Sequence, residues 1–478
     1  MRVCSVSILC GLLLAAAACG PQAPAPFGAC PTPQQLAWQQ MEMNLFCHFG
    51  PNTFTGVEWG DGTEPEDIFY PTDLDCGQWA ATAHAAGFKG IILTAKHHDG
   101  FCLWPSPESR HTVAQSRWRE GHGDVLRELS DACLAEGLKF GVYISPWDRN
   151  DPRYGTPDYN GAFVRTLESV LDGRYGPVFE QWFDGACGEG PTGRRQVYDW
   201  PLFNGTVARL QADAVIFSDV GPGCRWVGNE RGEAGCTNWS TLEVDGFEPG
   251  AGSPPVEVLN GGTPGASHWA AAETDVSIRP GWFWRASETE QVKSVQQLLK
   301  IYYESVGRNS LLLLNVPPDT RGRIDAVDSL RLMEFRTALD AIFAEDLAAG
   351  AVVTGPSRGR GFAPANVLSD DYDRYWALPD DRTEASLLLQ FPEPRTFNRV
   401  LLQEYIPLGQ RIASFHVDAL IDGLWQEIAR ETTVGYKRIV LTSTVTATAL
   451  RLTIDASLAC PTLTKISLYN DTIFCNSQ

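Results

Sequence analysis

Short apolar runs recur through the first two thirds of this chain, and one after another breaks at its C-terminal end into residues that can do chemistry. "MNLFCHFG" stops at His48, "IILTAKHHDGF" gives way to Lys96, His97, His98 and Asp99, and "LKFGVYISPWD" runs out from Tyr143 to Asp148. "PVFEQWFDG" ends in Trp182 and Asp184, and "DAVIFSDVG" in Asp219. Helical patterns lie between them. In "DVLRELSDACLAEG", Asp124 is a good N-cap, Val125, Leu129, Ala132 and Cys133 share a face, and Gly137 is a stop signal. Ser287 and Glu290 read as a capping box for the long helix "ETEQVKSVQQLLKIYYESV". Nearly continuous apolar strands alternating with helices imply a parallel sheet covered by helices. Chemistry at the ends of many strands selects a TIM-like (β/α)8 barrel, because a doubly wound sheet gathers its chemistry at one or two switch points. No GxGxxG or P-loop stands in the context such a sheet requires. The barrel is placed at residues 31–345, a usual size for the fold.

From residue 350 the texture changes. "GAVVTGPSRGRG" is rich in glycine, and "NRVLLQEYI", "SFHVDALIDGLWQEI" and "TALRLTI" follow, with "IDGLW" a hairpin candidate. Residues 350–478 are expected to form an all-β sandwich. At the other end, Arg2 precedes "VSILCGLLLAAAA", too short to span a membrane comfortably and suited to an export signal. Residues 1–19 then resemble a bacterial lipoprotein signal with Cys19 as the lipid site, an ordinary signal peptide cut nearby being the alternative, and residues 20–30 are expected to be a linker. The expected location is the periplasm or outer membrane, with the membrane touched only through that anchor.

The formal net charge of −20 argues against nucleic-acid partners and favours a neutral ligand. The chain's 15 tryptophans supply indole faces of the kind that stack on sugar rings as well as core. Of 13 cysteines, ten remain once Cys4, Cys10 and Cys19 are set aside. Cys224 with Cys236, and Cys460 with Cys475, are locally plausible disulfide pairs in an exported protein. Asn204, Asn238 and Asn470 head chance NxS/T triplets.

His97 and His98 are sequence neighbours, so on a strand they point to opposite faces. The His-x-His spacing of barrel metal sites is missing and Lys96 would repel a cation, so no metal is assigned there. Trp182 and Asp184 share a face by the strand period of two. A carboxylate beside an indole wall suits glycoside hydrolysis, which needs a second carboxyl held protonated. Glu230, Glu233 and Glu273 are all candidates, and spacing does not choose among them.

The segments "FCHFGPNTFTGVEWGDG", "TAKHHDGFCLWPS", "GVYISPWDRN", "EQWFDG", "GPGCRWVGNERG", "SIRPGWFW" and "SVGRNSLLLLNVPPDTRGRI", in that order, resemble glycoside hydrolase family 29, the α-L-fucosidases. "YISPWDRN" and "RWVGNERG" look most like the branch acting on α-1,3 and α-1,4 linkages of branched glycans. The resemblance implies a retaining exo-hydrolase with Asp184 as nucleophile and Glu230 as acid/base, fucosylated oligosaccharides as substrate, and no cofactor. By the same resemblance His48, Glu58, Trp59, His97, His98, Tyr143, Trp182 and Trp282 bind the fucose. A broad-specificity fucosidase and an inactive sugar-binding surface protein are the alternatives. "NVLSDDYDRYWAL" resembles the discoidin-like (coagulation factor 5/8 type C) sandwiches, which hold a structural calcium in some members; Asp370, Asp371 and Asp373 would be its candidate ligands, and a solvated acidic turn is the favoured reading of the three.

Overall fold

The computed structural model describes residues 22–250 and 252–474 of the 478. Cys19, the signal segment and Cys475 lie outside the described residues. Eight parallel strands close into a barrel in sequence order: β1 Met43–Cys47, β2 Gly90–Lys96, β3 Lys139–Ile144, β4 Val178–Trp182, β5 Val215–Ser218, β6 Cys224–Trp226, β7 Ala271–Ser277 and β8 Ser310–Asn315. Period two divides their side chains. Phe46, Ile92, Tyr143, Trp182, Phe217, Cys224 and Leu313 fill the interior together with Trp38, while Leu45, Ile91, Leu93 and Val142 pack outward against the helices. Trp38 belongs to the helix Pro33–Gln39 (α1), which is closed by a capping box between Thr32 and Gln35 and carries proline in its first turn.

The connection from β5 to β6 has only residues 219–223 and no helix, far shorter than an ordinary parallel crossover. It suffices because Cys224 begins level with Phe217, so the chain drops back very little. Gly223 is required there: a Cβ would lie 2.4 Å from the Ile216 nitrogen. Asp124 and Gly137 do bound a helix, Val125–Glu136, with the Asp124 side chain accepting from Arg127 N and Gly137 left-handed. The helix expected from Ser287 starts later. Residues Ala286–Gln291 form a 3-10 stretch, and the α-helix is Val295–Glu304, capped reciprocally by Ser294 and Gln297. The cause lies upstream, where Glu288 is held by Arg285 and Gly281 N, and Lys293 N bonds to Ile278 O.

The second domain is one antiparallel sheet: β9 Val352–Thr354, β10 Trp376–Ala377, β11 Ala385–Glu404, β12 Ile412–Ile421, β13 Leu424–Glu431, β14 Arg438–Ser457 and β15 Thr462–Tyr469. Its order is β10-β15-β11-β14-β12-β13, with β9 on β11. The 20-residue strands β11 and β14 shift register at Gln390/Arg395 and Phe397/Arg399, irregularities that bend long strands around the domain's own apolar core. Asp422 and Gly423, both at positive φ, make the tight two-residue hairpin turn expected at "IDGLW".

This sheet packs against the barrel's N-terminal face. Asn309, just before β8, donates to Asn238 O (3.1 Å) and accepts from Tyr436 N (2.7 Å), while Gln410 bridges Ser240 N and Asn238 O. Asn238, in its NxS triplet, is fully buried. Residues of the expected linker touch the second domain: Arg358 and Arg411 donate to the carbonyls of Gln22 and Ala25, and Phe27 N donates to Leu408 O.

One expectation is corrected here. Cys224 and Cys236 are both free thiols, Cys224 inside the barrel beside Glu180 and Cys236 exposed, so they form no disulfide. In the acidic turn ahead of β10, Asp370 pairs with Lys465 (2.7 Å), Asp371 accepts from Asp373 N, and Asp373 accepts from Tyr405 OH (3.2 Å).

Candidate active site

Asp184, Glu230, His48, Glu58, Trp59, His97, His98, Tyr143, Trp182 and Trp282 all line one cavity of about 290 Å³ at the C-terminal ends of the barrel strands. The three imidazoles are buried, and burial dominates their titration. His48 is pushed down to about 3 and His98 to about 4, and His97 well below its usual value with help from His98, His48 and Lys96. They are neutral at physiological pH, and the hydrogen bonds fix their tautomers. Asn315 donates through its amide nitrogen to Ser277 Oγ and Trp282 O, so its Oδ1 must accept from His48 Nδ1 (2.9 Å). Ser145 donates to Trp147 O, so its Oγ accepts from His98 Nδ1 (2.8 Å). His48 and His98 therefore carry a bare Nε2, an acceptor for a hydroxyl proton. Asn52 Nδ2 contacts His97 Nδ1 at 3.5 Å and donates also to Glu58 O, which leaves His97 with Nε2–H, a donor. One donor and two acceptors of no charge suit a polyol. Lys96 is not in the cavity; it is buried against Asp148 (3.0 Å) and ties β2 to the loop after β3.

Asp184 accepts from Tyr143 OH (3.0 Å) and Ala186 N (2.7 Å), with His98 Nε2 3.6 Å away. Glu230 accepts from Trp282 Nε1 (3.3 Å). Partial burial raises the Glu230 pKa, the Trp282 bond lowers it, and the negative charges of Asp184 and Glu58 raise it further. Glu58 is held by Arg285 and by Trp282 N (3.1 Å). Trp182 stacks on Phe217, rings 3.9 Å apart, and on Tyr143, while Trp59 at the rim is 58% exposed. The other two carboxyl candidates are elsewhere. Glu233 pairs with Arg231 and Lys300 outside the cavity, and Glu273 is fully buried beneath Trp182, accepting from its Nε1 (2.8 Å).

Sequence reasoning passed over Trp226 and Asp275, which also line the cavity and are joined by an indole N–H bond of 2.9 Å. Asp275 is buried and raised well above the usual carboxyl range, first by burial and then by the charge of Glu230. Its signal was available: Asp275 stands two residues after Glu273 on one strand face.

An alpha-L-fucosidase family model matches residues 31–340. The chain belongs to the α-L-fucosidase family. The fucosidase is 45% identical over 456 residues to the putative alpha-L-fucosidase 1 of Oryza sativa subsp. japonica, covering 94% of this chain and 87% of that one. Its fold matches a putative alpha-L-fucosidase from Bacteroides thetaiotaomicron with a TM-score of 0.88 at 38% identity, covering 94% and all of the respective chains. It also matches a Ruminococcus gnavus family 29 fucosidase in complex with fucose, TM-score 0.86 at 32% identity, covering 95% and 97%. The enzyme is thus a glycoside hydrolase of family 29.

Proposed function

We propose that this fucosidase releases terminal α-L-fucose with retention, through a covalent fucosyl-enzyme, from α-1,3 and α-1,4 linkages of branched glycans. The observation that carries the mechanism is the unlike setting of two carboxyls on one cavity. Asp184 is held as an acceptor by Tyr143 and Ala186 N, which aims it for attack on the anomeric carbon. Glu230 sits among like charges that favour its protonated form, as a general acid requires. In the first step the Asp184 oxygen bonds to the anomeric carbon as the glycosidic bond breaks, and Glu230 gives its proton to the leaving oxygen. In the second, Glu230 takes a proton from water, which displaces Asp184. His48, His97 and His98 bind the fucose hydroxyls, and the aromatic walls receive its ring and methyl group.

The linkage preference rests on the sequence resemblance. Purified enzyme is tested on Lewis a and Lewis x trisaccharides, 2′-fucosyllactose and an aryl α-L-fucoside, with the first-formed anomer read by proton NMR. Release confined to the Lewis structures, as the α-anomer, is the expected result. Comparable turnover of 2′-fucosyllactose and the aryl fucoside overturns the linkage reading, and a β-anomer overturns retention. We further propose export as a lipoprotein through Cys19, for which mass spectrometry of the mature N-terminus is the test.

A further inference from the structure

Directly below the pocket, the interior of the barrel holds two carboxyls that the chemistry above does not use. Glu180 on β4 and Glu273 on β7 are both 0% exposed, and their oxygens lie with the Cys224 sulfur within 4.8 Å of one another. One oxygen of each is engaged by an indole: Trp38 Nε1 donates to Glu180 Oε2 (2.7 Å) and Trp182 Nε1 to Glu273 Oε1 (2.8 Å). The two carboxyls also lie within hydrogen-bonding reach of each other inside the barrel. Glu180 Oε1 has only the weak Cys224 thiol at 3.7 Å, and Glu273 Oε2 has no other donor. Two bare carboxylates so placed would repel in a dry interior, whereas one proton between them makes a strong hydrogen bond. A metal ion is a poorer occupant, since one oxygen of each carboxyl is already taken by an indole N–H and Cys224 is the one further ligand grouped with them.

We propose that Glu180 and Glu273 share a proton and act together as a positioning unit for the sugar pocket, holding the Trp182 indole at the level where fucose sits. The unit reaches the chemistry in two contacts. Trp182 is the pocket floor, and its ring stacks on Tyr143 (5.2 Å), whose hydroxyl is bonded to Asp184. Below, the same unit fixes Trp38 of α1, so the helix plugging the barrel's N-terminal end and the pocket floor share one hydrogen-bonded column. Burial raises both carboxyls, Glu180 to about 7 and Glu273 well above its usual range. The other titratable groups facing them are Cys224 and, above Glu273, Asp275, with Arg225 beyond Cys224.

Three variants test this. In Glu273→Gln the amide oxygen still accepts from Trp182 and the amide nitrogen donates to Glu180, so kcat/KM is expected within about 3-fold of wild type. In Glu273→Leu the indole loses its acceptor, and kcat/KM is expected to fall by about 30-fold or more, with fucose binding weakened. The infrared difference spectrum of Glu273→Gln against wild type at neutral pH is expected to show loss of a protonated-carboxyl band, a signature that packing alone would not move. Glu180→Gln supplies the same readout should the leucine variant fail to fold. A folded Glu273→Leu enzyme with wild-type kcat/KM and fucose affinity overturns the positioning role. Difference spectra of both glutamine variants without a lost carboxyl band overturn the shared proton. Neither readout depends on which carboxylate is the nucleophile, so this inference and the mechanism fail separately.

Discussion

The two ends of strand β8 carry the same side chain to different purposes. Asn315, at the C-terminal end, binds Ser277, Trp282 and His48, and in doing so decides that His48 shows the cavity a lone pair. Asn309, at the N-terminal end, binds Asn238, Ser240 and Tyr436 and knits barrel to sandwich. Both are buried and fully engaged. At the upper face a carboxamide leaves its partner with one unused valence aimed at a ligand; at the lower face it leaves none. That difference, and not polarity or burial as such, separates an active site from an interface in this molecule.

The largest effect expected is at the proposed nucleophile: Asp184→Ala should lose about 10⁴-fold or more in kcat while still binding fucose by calorimetry. Turnover near wild type would remove Asp184 from its role. Next, Asn315→Ala should free the His48 tautomer and lower kcat/KM by about 10²-fold with a smaller fall in melting temperature. Asn309→Ala should do the reverse, costing on the order of 2 kcal/mol of stability with kcat/KM kept at 25 °C. If the two variants showed the same pattern, the distinction between the faces would collapse.

A smaller effect concerns pH. In the proposed role of acid Glu230 must be protonated, so kcat/KM should fall as pH rises through its raised pKa. Glu58 contributes to that rise, and its removal also uncovers the Arg285 cation. Glu58→Gln should therefore move the alkaline limb to lower pH; a shift upward, or none, contradicts the assigned cause. Smallest is the helix start. Ser294→Ala should cost about 1 kcal/mol in denaturant unfolding and Ser287→Ala within about 0.5 kcal/mol.

That last pair shows where the sequence is ambiguous. Ser287 with Glu290 and Ser294 with Gln297 both have the capping-box spacing, and only tertiary bonds to Glu288 and Lys293 choose the second. The barrel was legible because strands buried on both faces cannot hide polar residues, so His48, His97, His98 and Asp184 stand out where the apolar runs stop. Trp226, the last residue of β6, and Asp275, two residues from the end of β7, were passed over because the neighbouring glutamates Glu230 and Glu273 drew the reading instead. Choosing Glu230 over Glu233 and Glu273 took resemblance, since three carboxyls within one region differ only in which way the chain turns them. Nothing in the composition of residues 22–30 tells a free spacer from a strap held by Arg358 and Arg411.

In the proposed mechanism Asp184 becomes bonded to the sugar while Glu230 moves the proton. Inactivating the enzyme with a 2-deoxy-2-fluoro-fucosyl fluoride, which slows hydrolysis of the intermediate, and mapping the label by peptide mass spectrometry tests this at the bond itself. A single fucosyl adduct on Asp184 is the predicted result. Stoichiometric label on Glu230 or another carboxylate would contradict the account.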